Sequence, residues 1–167
     1  MTNDIPTLLS EYKNGMALLQ ARLNSVSDEL RQYKPGPNKW SVHDIVIHLA
    51  ESEVQGYLRM RTALAESGNL AINCDENKWA DELYYEQQSY DDALETLILM
   101  RKNNLTLLSL VPEEKWNRYV MHSACGKLTL LDLLKTYIKH IGLHIDQINR
   151  NETQWKTGSN TSIISNK

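Results

Sequence analysis

Residues 129–150 read TLLDLLKTYIKHIGLHIDQINR, and their spacing decides the fold class. Steps of three and four place Leu130, Leu133, Tyr137, His140, His144 and Gln147 on one stripe. Leu134, Ile138, Ile141, Ile145 and Ile148 fall on the stripe beside it. Two neighbouring stripes of that period are the broad apolar face of a helix, not the alternation of a strand. Thr129 stands just ahead of the first leucine and can cap the free N–H groups. The helix is predicted to end near Arg150.

Working outward, three more helices of the same kind appear. The first spans about Ile5 to Leu23, with Leu8, Tyr12, Ala17 and Leu19 facing inward. A short turn near Ser27–Arg31 follows, and Lys34-Pro-Gly-Pro-Asn breaks the chain. The second starts at Ser41, with Asp44 three residues on completing a capping-box pattern. Val42, Ile45, Val46, Leu49, Tyr57, Met60 and Leu64 carry its apolar face to about Glu66. The third runs from Ser89 to about Leu110, with Asp91 and Asp92 in its first turn where acid suits the helix dipole, and Pro112 blocks its continuation. Residues 67–88 are polar and read as irregular, too long for a simple connection. No stretch alternates convincingly enough for a strand. The expectation is an all-α four-helix bundle with a long crossover between the second and third helices. Residues 1–151 are expected to form one domain, and 152–167, rich in Asn, Ser and Thr, a flexible tail.

Composition bounds the function. The chain has 167 residues, 41% of them hydrophobic and 23% charged, with a formal charge of −3. That is a globular balance, and dispersed basic residues give no electrostatic footprint for nucleic acid or a membrane surface. No apolar run approaches the roughly 18 residues of a membrane span, and the first residues lack a secretory pattern. Two cysteines, Cys74 and Cys125, make no disulfide framework. A cytoplasmic protein with free thiols is expected.

His140 and His144 are the candidate functional pair. One turn apart on an inward stripe, two imidazoles can reach one ion at roughly 2.0–2.1 Å. A buried neutral imidazole has one donor and one acceptor, so hydrogen bonding to backbone or water answers the same pattern. On the second helix His48 lies at the edge of the apolar face, in line with Asp44, Glu51 and Gln55. Spacing alone does not decide between ligands and hydrogen-bonded core histidines.

The wording around these residues resembles the DinB/YfiT-like superfamily of metal-dependent enzymes. The likeness begins at KPGPNKWSVHDIVIHLAESE (34–53), resumes at DENKWA (75–80) and closes at YIKHIGLHIDQI (137–148). The Asp-Glu-x-x-Trp segment is similar to that of the YfiT-type, bacillithiol-transferase-like members. The resemblance implies a divalent ion, zinc or nickel, held by His48, His140 and His144, with open coordination positions. It also implies a homodimer with a long crossover. Transfer of a low-molecular-weight thiol to a small electrophilic substrate is the expected reaction. A hydrolase using a metal-activated water, with Glu51 as general base, is the alternative, and a non-catalytic stress-inducible metal protein a third. Asp75, Glu76 and Trp79 would either line the pocket mouth or pack a loop. Trp40 and Trp116 read as packing residues, His43 and His122 as peripheral. Tyr137 is placed to donate a hydrogen bond in the site, and Gly142 to admit a close neighbour.

Overall fold

The computed structural model of the protein describes residues 4–164, with side chains through residue 158. In chain order the elements are α1 (Ile5–Leu23), α2 (Asp28–Gln32), α3 (Val42–Ala65), β1 (Leu70–Ala71), α4 (Glu76–Glu82), α5 (Tyr90–Leu108), β2 (Tyr119–His122), β3 (Gly126–Thr129) and α6 (Leu130–Ile164). Single 3₁₀ turns at Tyr85–Gln87 and Glu113–Lys115 precede α5 and β2. The four long helices form a bundle, as their periodicity predicts.

The helix starts are set by the caps that the sequence displays. Ser41 accepts from Asp44 N at 3.1 Å while Asp44 Oδ2 accepts from Ser41 N at 2.9 Å, a reciprocal capping box. Thr129 and Asp132 repeat it at α6, with bonds of 3.1 and 3.0 Å, and Ser89 caps α5 at 3.2 Å.

Packing gives the topology. α3 lies against α5 and α6, and α1 against the same two, so the helices circle in the order α1-α6-α3-α5. Trp40 just before α3, then His48 and Gly56 along it, meet Asn151, His140 and Tyr137 of α6 in turn, so these two helices run antiparallel. By contrast, α3 and α5 are parallel: His43 meets Tyr90 near one end and Arg61 meets Asn104 toward the other. The chain from 66 to 89 must therefore travel back along the whole of α3. That is why it is long.

Several expectations are corrected. The crossover is not irregular: it holds β1, α4 and a 3₁₀ turn. The fold is not purely helical either, because β2 pairs antiparallel with β3 and parallel with β1. These strands have two to four residues, too short for alternation to show. Gly126, at φ 73°, supplies the left-handed residue beside the hairpin turn. The last helix does not stop near Arg150. It continues to Ile164, so residues 152–164 of the expected tail are helical, and 165–167 lie outside the described residues. Asn151 donates to the Trp40 carbonyl at 2.9 Å, Glu152 pairs with Arg22 at 2.6 Å, and Trp155 packs on the core. In α1, Met16 is buried where Ala17 was expected; Ala17 is exposed. Tyr57 is only half-buried, beneath the guanidinium of Arg61 at 3.2 Å.

The apolar core has two parts. Met16, Leu19, Val42, Ile45, Leu49, Leu97 and Ile141 belong to one cluster; Leu8, Met60, Leu108, Leu130 and Leu134 belong to the other. A buried polar layer separates them. Arg101 donates to Glu53 at 2.8 Å and to the carbonyls of Tyr12 and Tyr137 at 3.2 and 3.3 Å. Tyr12 donates its hydroxyl to Glu53, and burial beside that carboxylate holds the phenol protonated. Asn104 adds a donor to Glu53 at 3.3 Å. Every long helix thus contributes to one satisfied network, the arrangement a buried charge requires.

Candidate metal centre

His48 projects from the first half of α3, two turns beyond the capping box that fixes the start of that helix. His140 and His144 project from the facing stripe of α6. The antiparallel packing of α3 on α6 brings all three to one point. His140 Nε2 stands 3.1 Å from His48 Nε2 and 3.0 Å from His144 Nε2. Their ligand atoms all lie within 4.8 Å of one another, and among the described residues this is the group of histidine, cysteine or acidic side chains so arranged.

Protons alone satisfy this cluster poorly. Gln147 Oε1 lies 2.9 Å from His144 Nδ1, so that nitrogen carries the hydrogen and Nε2 presents a lone pair. His140 Nε2 then faces two nitrogens and has one hydrogen at most to share between them. An ion with metal–nitrogen bonds of roughly 2.0–2.1 Å needs ligand nitrogens about 2.9–3.4 Å apart, whether octahedral or tetrahedral. The two separations at His140 fall in that range and His48 and His144 lie within 4.8 Å of each other, so the donor set fits a metal with a small inward closing of the outer pair.

Electrostatics points the same way. Burial, with His144 and His140 adjacent, lowers the His48 pKa to about 3. Burial, then His144 and Arg101, lowers His140 to about 3 as well. His144 is also lowered, by burial first. All three are neutral imidazoles in ordinary buffers, the form that ligates. Trp40 lies over the cluster, its ring 4.6 Å from that of His48 and stacked at 6.2 Å from His144. It therefore packs on the site itself.

A cavity of about 200 Å³ opens beside His48 and His140. Glu51 lines it, as do Gln55, Arg59, Glu76, Trp79 and Tyr85. Tyr85 donates its hydroxyl to Glu51 Oε2 at 2.5 Å, and Glu76 Oε2 lies 3.9 Å from His48 Nε2. So Glu76 and Trp79 belong to the cavity wall, brought there by the returning crossover, while Asp75 caps α4 through Asn77 and Lys78. Cys74 also lines the cavity, and Cys125 is exposed at the hairpin turn.

Other expectations are resolved by contacts. Tyr137 is beside His140, ring centroids 6.4 Å apart, and accepts from Arg59 at 3.3 Å. Gly142 faces open space; the close approach is at Gly56, where an added Cβ would sit 2.5 Å from the Tyr137 ring. His43 is buried rather than peripheral, 3.0 Å from the Tyr85 carbonyl. His122 Nδ1 accepts from Ala124 and Cys125 N–H at 3.3 and 3.2 Å, so it ties the hairpin turn and stands apart from the three-histidine cluster. Sequence reading missed Arg59 and Tyr85. Arg59 had a findable signal, since eleven residues beyond His48 is about three turns and returns to the same face; Tyr85 sits in a segment without periodicity.

Comparison with known proteins places this geometry in a lineage. Residues 11–148 match the model of the DinB superfamily. A Bacillus licheniformis protein provisionally named a metal-dependent hydrolase is 25% identical over 141 residues, 84% of this chain and 80% of its own. An Oceanobacillus iheyensis protein with the same provisional name is 26% identical over 140 residues, 84% and 81% of the two chains. Among solved structures, YfiT from Bacillus subtilis superposes with a TM-score of 0.83 at 20% identity, covering 93% of this chain and 90% of that one. It is described, also provisionally, as a metal-dependent hydrolase with an unusual four-helix bundle topology. A mycothiol-dependent maleylpyruvate isomerase superposes at 0.73 with 12% identity, over 89% of this chain and 63% of the other. At such identities the structures speak for the fold alone.

Proposed function

Because this chain belongs to the DinB superfamily, we propose that it is a metal-dependent enzyme transferring a low-molecular-weight thiol to small electrophilic substrates. The observation that carries the reading is the convergence of three neutral imidazoles, two of them on the wall of a cavity that also holds a carboxylate. His48, His140 and His144 would hold a divalent transition metal, zinc or nickel. Such an ion, when bound, lowers the pKa of a thiol or water near it and so supplies a nucleophile at neutral pH.

The chain's own groups handle the proton and the orientation. Tyr85 occupies Glu51 Oε2, which leaves Oε1 to accept the thiol proton in general-base fashion. The thiolate sulfur then attacks the electrophilic carbon, forming the S–C bond as the leaving group departs with its electron pair. Trp40, packed over two of the imidazoles, limits the access of water to them. Gln147 fixes the tautomer and orientation of His144.

Purified protein reconstituted with zinc or nickel, and supplied with common cellular thiols, is expected to conjugate them to a bimane or halo-aromatic electrophile. Glu51→Gln should cut that rate by roughly tenfold to a hundredfold while retaining metal. Absence of transfer with every thiol would overturn the reading. Hydrolysis is the second reading, favoured by the same Glu51 in the cavity and by the provisional names of the relatives. Thiol-independent cleavage of activated esters, lost in Glu51→Gln, would select it instead.

A further inference from the structure

We infer that the cavity takes a molecule bearing a carboxylate and that Arg59 is the residue that binds it, an inference resting on the three histidines as the reacting end of the same cavity. Arg59 stands on α3 and lines the cavity with His48 and His140. Its guanidinium is held by uncharged acceptors: Gln55 Oε1 at 2.7 Å, the Ile72 carbonyl at 2.8 Å and the Tyr137 hydroxyl oxygen at 3.3 Å. Three of its five donors are thereby fixed and the rest remain free to donate.

The charge itself is not matched. Arg22, Arg31 and Arg101 each have a carboxylate partner. Arg59, like Arg61, Arg118 and Arg150, is in no ion pair among the described residues, and of these four it is the one that lines the cavity beside the histidines. The acids of the cavity gather at the other end. Glu51 is one turn from His48 and engaged by Tyr85, and Glu76 reaches within 3.9 Å of His48 Nε2. The cavity is therefore polarised along α3, with the imidazoles and acids at one end and, beside Tyr137 toward the other, a fixed, half-buried guanidinium carried by a residue about three turns further along the helix.

That arrangement suits a molecule whose reactive group reaches the histidines while its carboxylate lies on Arg59. A planar guanidinium already held in place binds a carboxylate with little further ordering cost. The carboxylate belongs either to the thiol or to the electrophile.

The test uses cobalt-substituted protein, whose thiolate charge-transfer absorption reports thiol binding without turnover. ω-Mercapto carboxylates of three to eight carbons are titrated against mercapto alcohols of equal length. At one or more lengths the carboxylate should bind at least about tenfold more tightly. The preference should vanish in Arg59→Gln and fall between in Arg59→Lys, which keeps the charge and loses the fork; circular dichroism confirms that each variant is folded. Should Arg59→Gln fail to fold, Arg59→Lys carries the comparison. Glutarate titrated into protein already holding 2-mercaptoethanol covers the second source: Arg59-dependent binding there assigns the carboxylate to the electrophile. If no thiol perturbs the cobalt spectrum, the thiol-transfer reading fails. Arg59-dependent binding of glutarate by calorimetry would still uphold the anchor. The inference is overturned if neither the thiol preference nor glutarate binding depends on Arg59.

Discussion

His140 Nε2 has a second imidazole nitrogen at 3.0 Å and a third at 3.1 Å, so each ligand's loss is felt by the other two. Replacing His144 by alanine should weaken metal binding by roughly a hundredfold or more. Elemental analysis after desalting would then show one ion per chain in the wild type and little in the variant; unchanged metal would remove His144 from the site. The lowered pKa values predict the acid response of metal-free protein. His48 and His140 titrate at about 3 in the fold and at the usual 6.5 when unfolded. Between those pH values the unfolded chain binds more protons, so stability falls as pH drops from 6.5 toward 3. Each histidine contributes a slope of up to ~1.4 kcal/mol per pH unit. Urea midpoints across that window would test it, and a flat profile would contradict the burial argument. A different residue scale effect sits in the polar layer. Glu53→Gln leaves Arg101 buried without its counter-charge and should cost about 3–5 kcal/mol. Glu53 was invisible in the sequence because a pattern of apolar spacing assigns every acid to solvent. The histidines were visible because they occupy the apolar stripe itself.

At the scale of elements, the distance between α3 and α6 is set where Gly56 meets Tyr137. A Cβ at Gly56 would lie 2.5 Å from that ring, so either the buried ring or one of the two helices must yield. Gly56→Ala should destabilise the fold by about 1–3 kcal/mol, the usual range for overpacking. It should also loosen metal binding, since His48 and His140 lie on the same pair of helices. Chemical denaturation and metal titration of one variant would show both; a neutral substitution would mean that the Tyr137 ring moves aside freely. Ser41→Ala removes one half of a capping box and is expected to cost about 1 kcal/mol. The limits of α1, α3 and α5 follow closely from local sequence because caps and apolar period are local signals. β1–β3 do not, since each is defined by its partners. α6 overran its predicted end for the same reason: Arg22 and Trp40 hold the turn that composition alone would let fray.

For the whole molecule, the order α1-α6-α3-α5 with parallel α3 and α5 makes the crossover part of the site. Among the described residues no helix is long and apolar enough to cross a membrane. Stripping the metal should leave the helical content largely intact, because two apolar clusters and the Glu53–Arg101 layer hold the bundle without it. Far-ultraviolet circular dichroism before and after chelation would check this; collapse of the signal would mark the ion as a structural staple. The sequence by itself determined which residues could form helices, where most of those helices begin, and which imidazoles lie on inward stripes. Those properties depend on neighbours within four positions along the chain. Only the tertiary structure decided that His48 stands opposite His140 and His144, that Glu76, Trp79 and Tyr85 close over them, and that Arg59 is left without a counter-charge. Each of these is fixed by packing between elements distant in sequence, and spacing along one chain carries no record of what lies across the bundle.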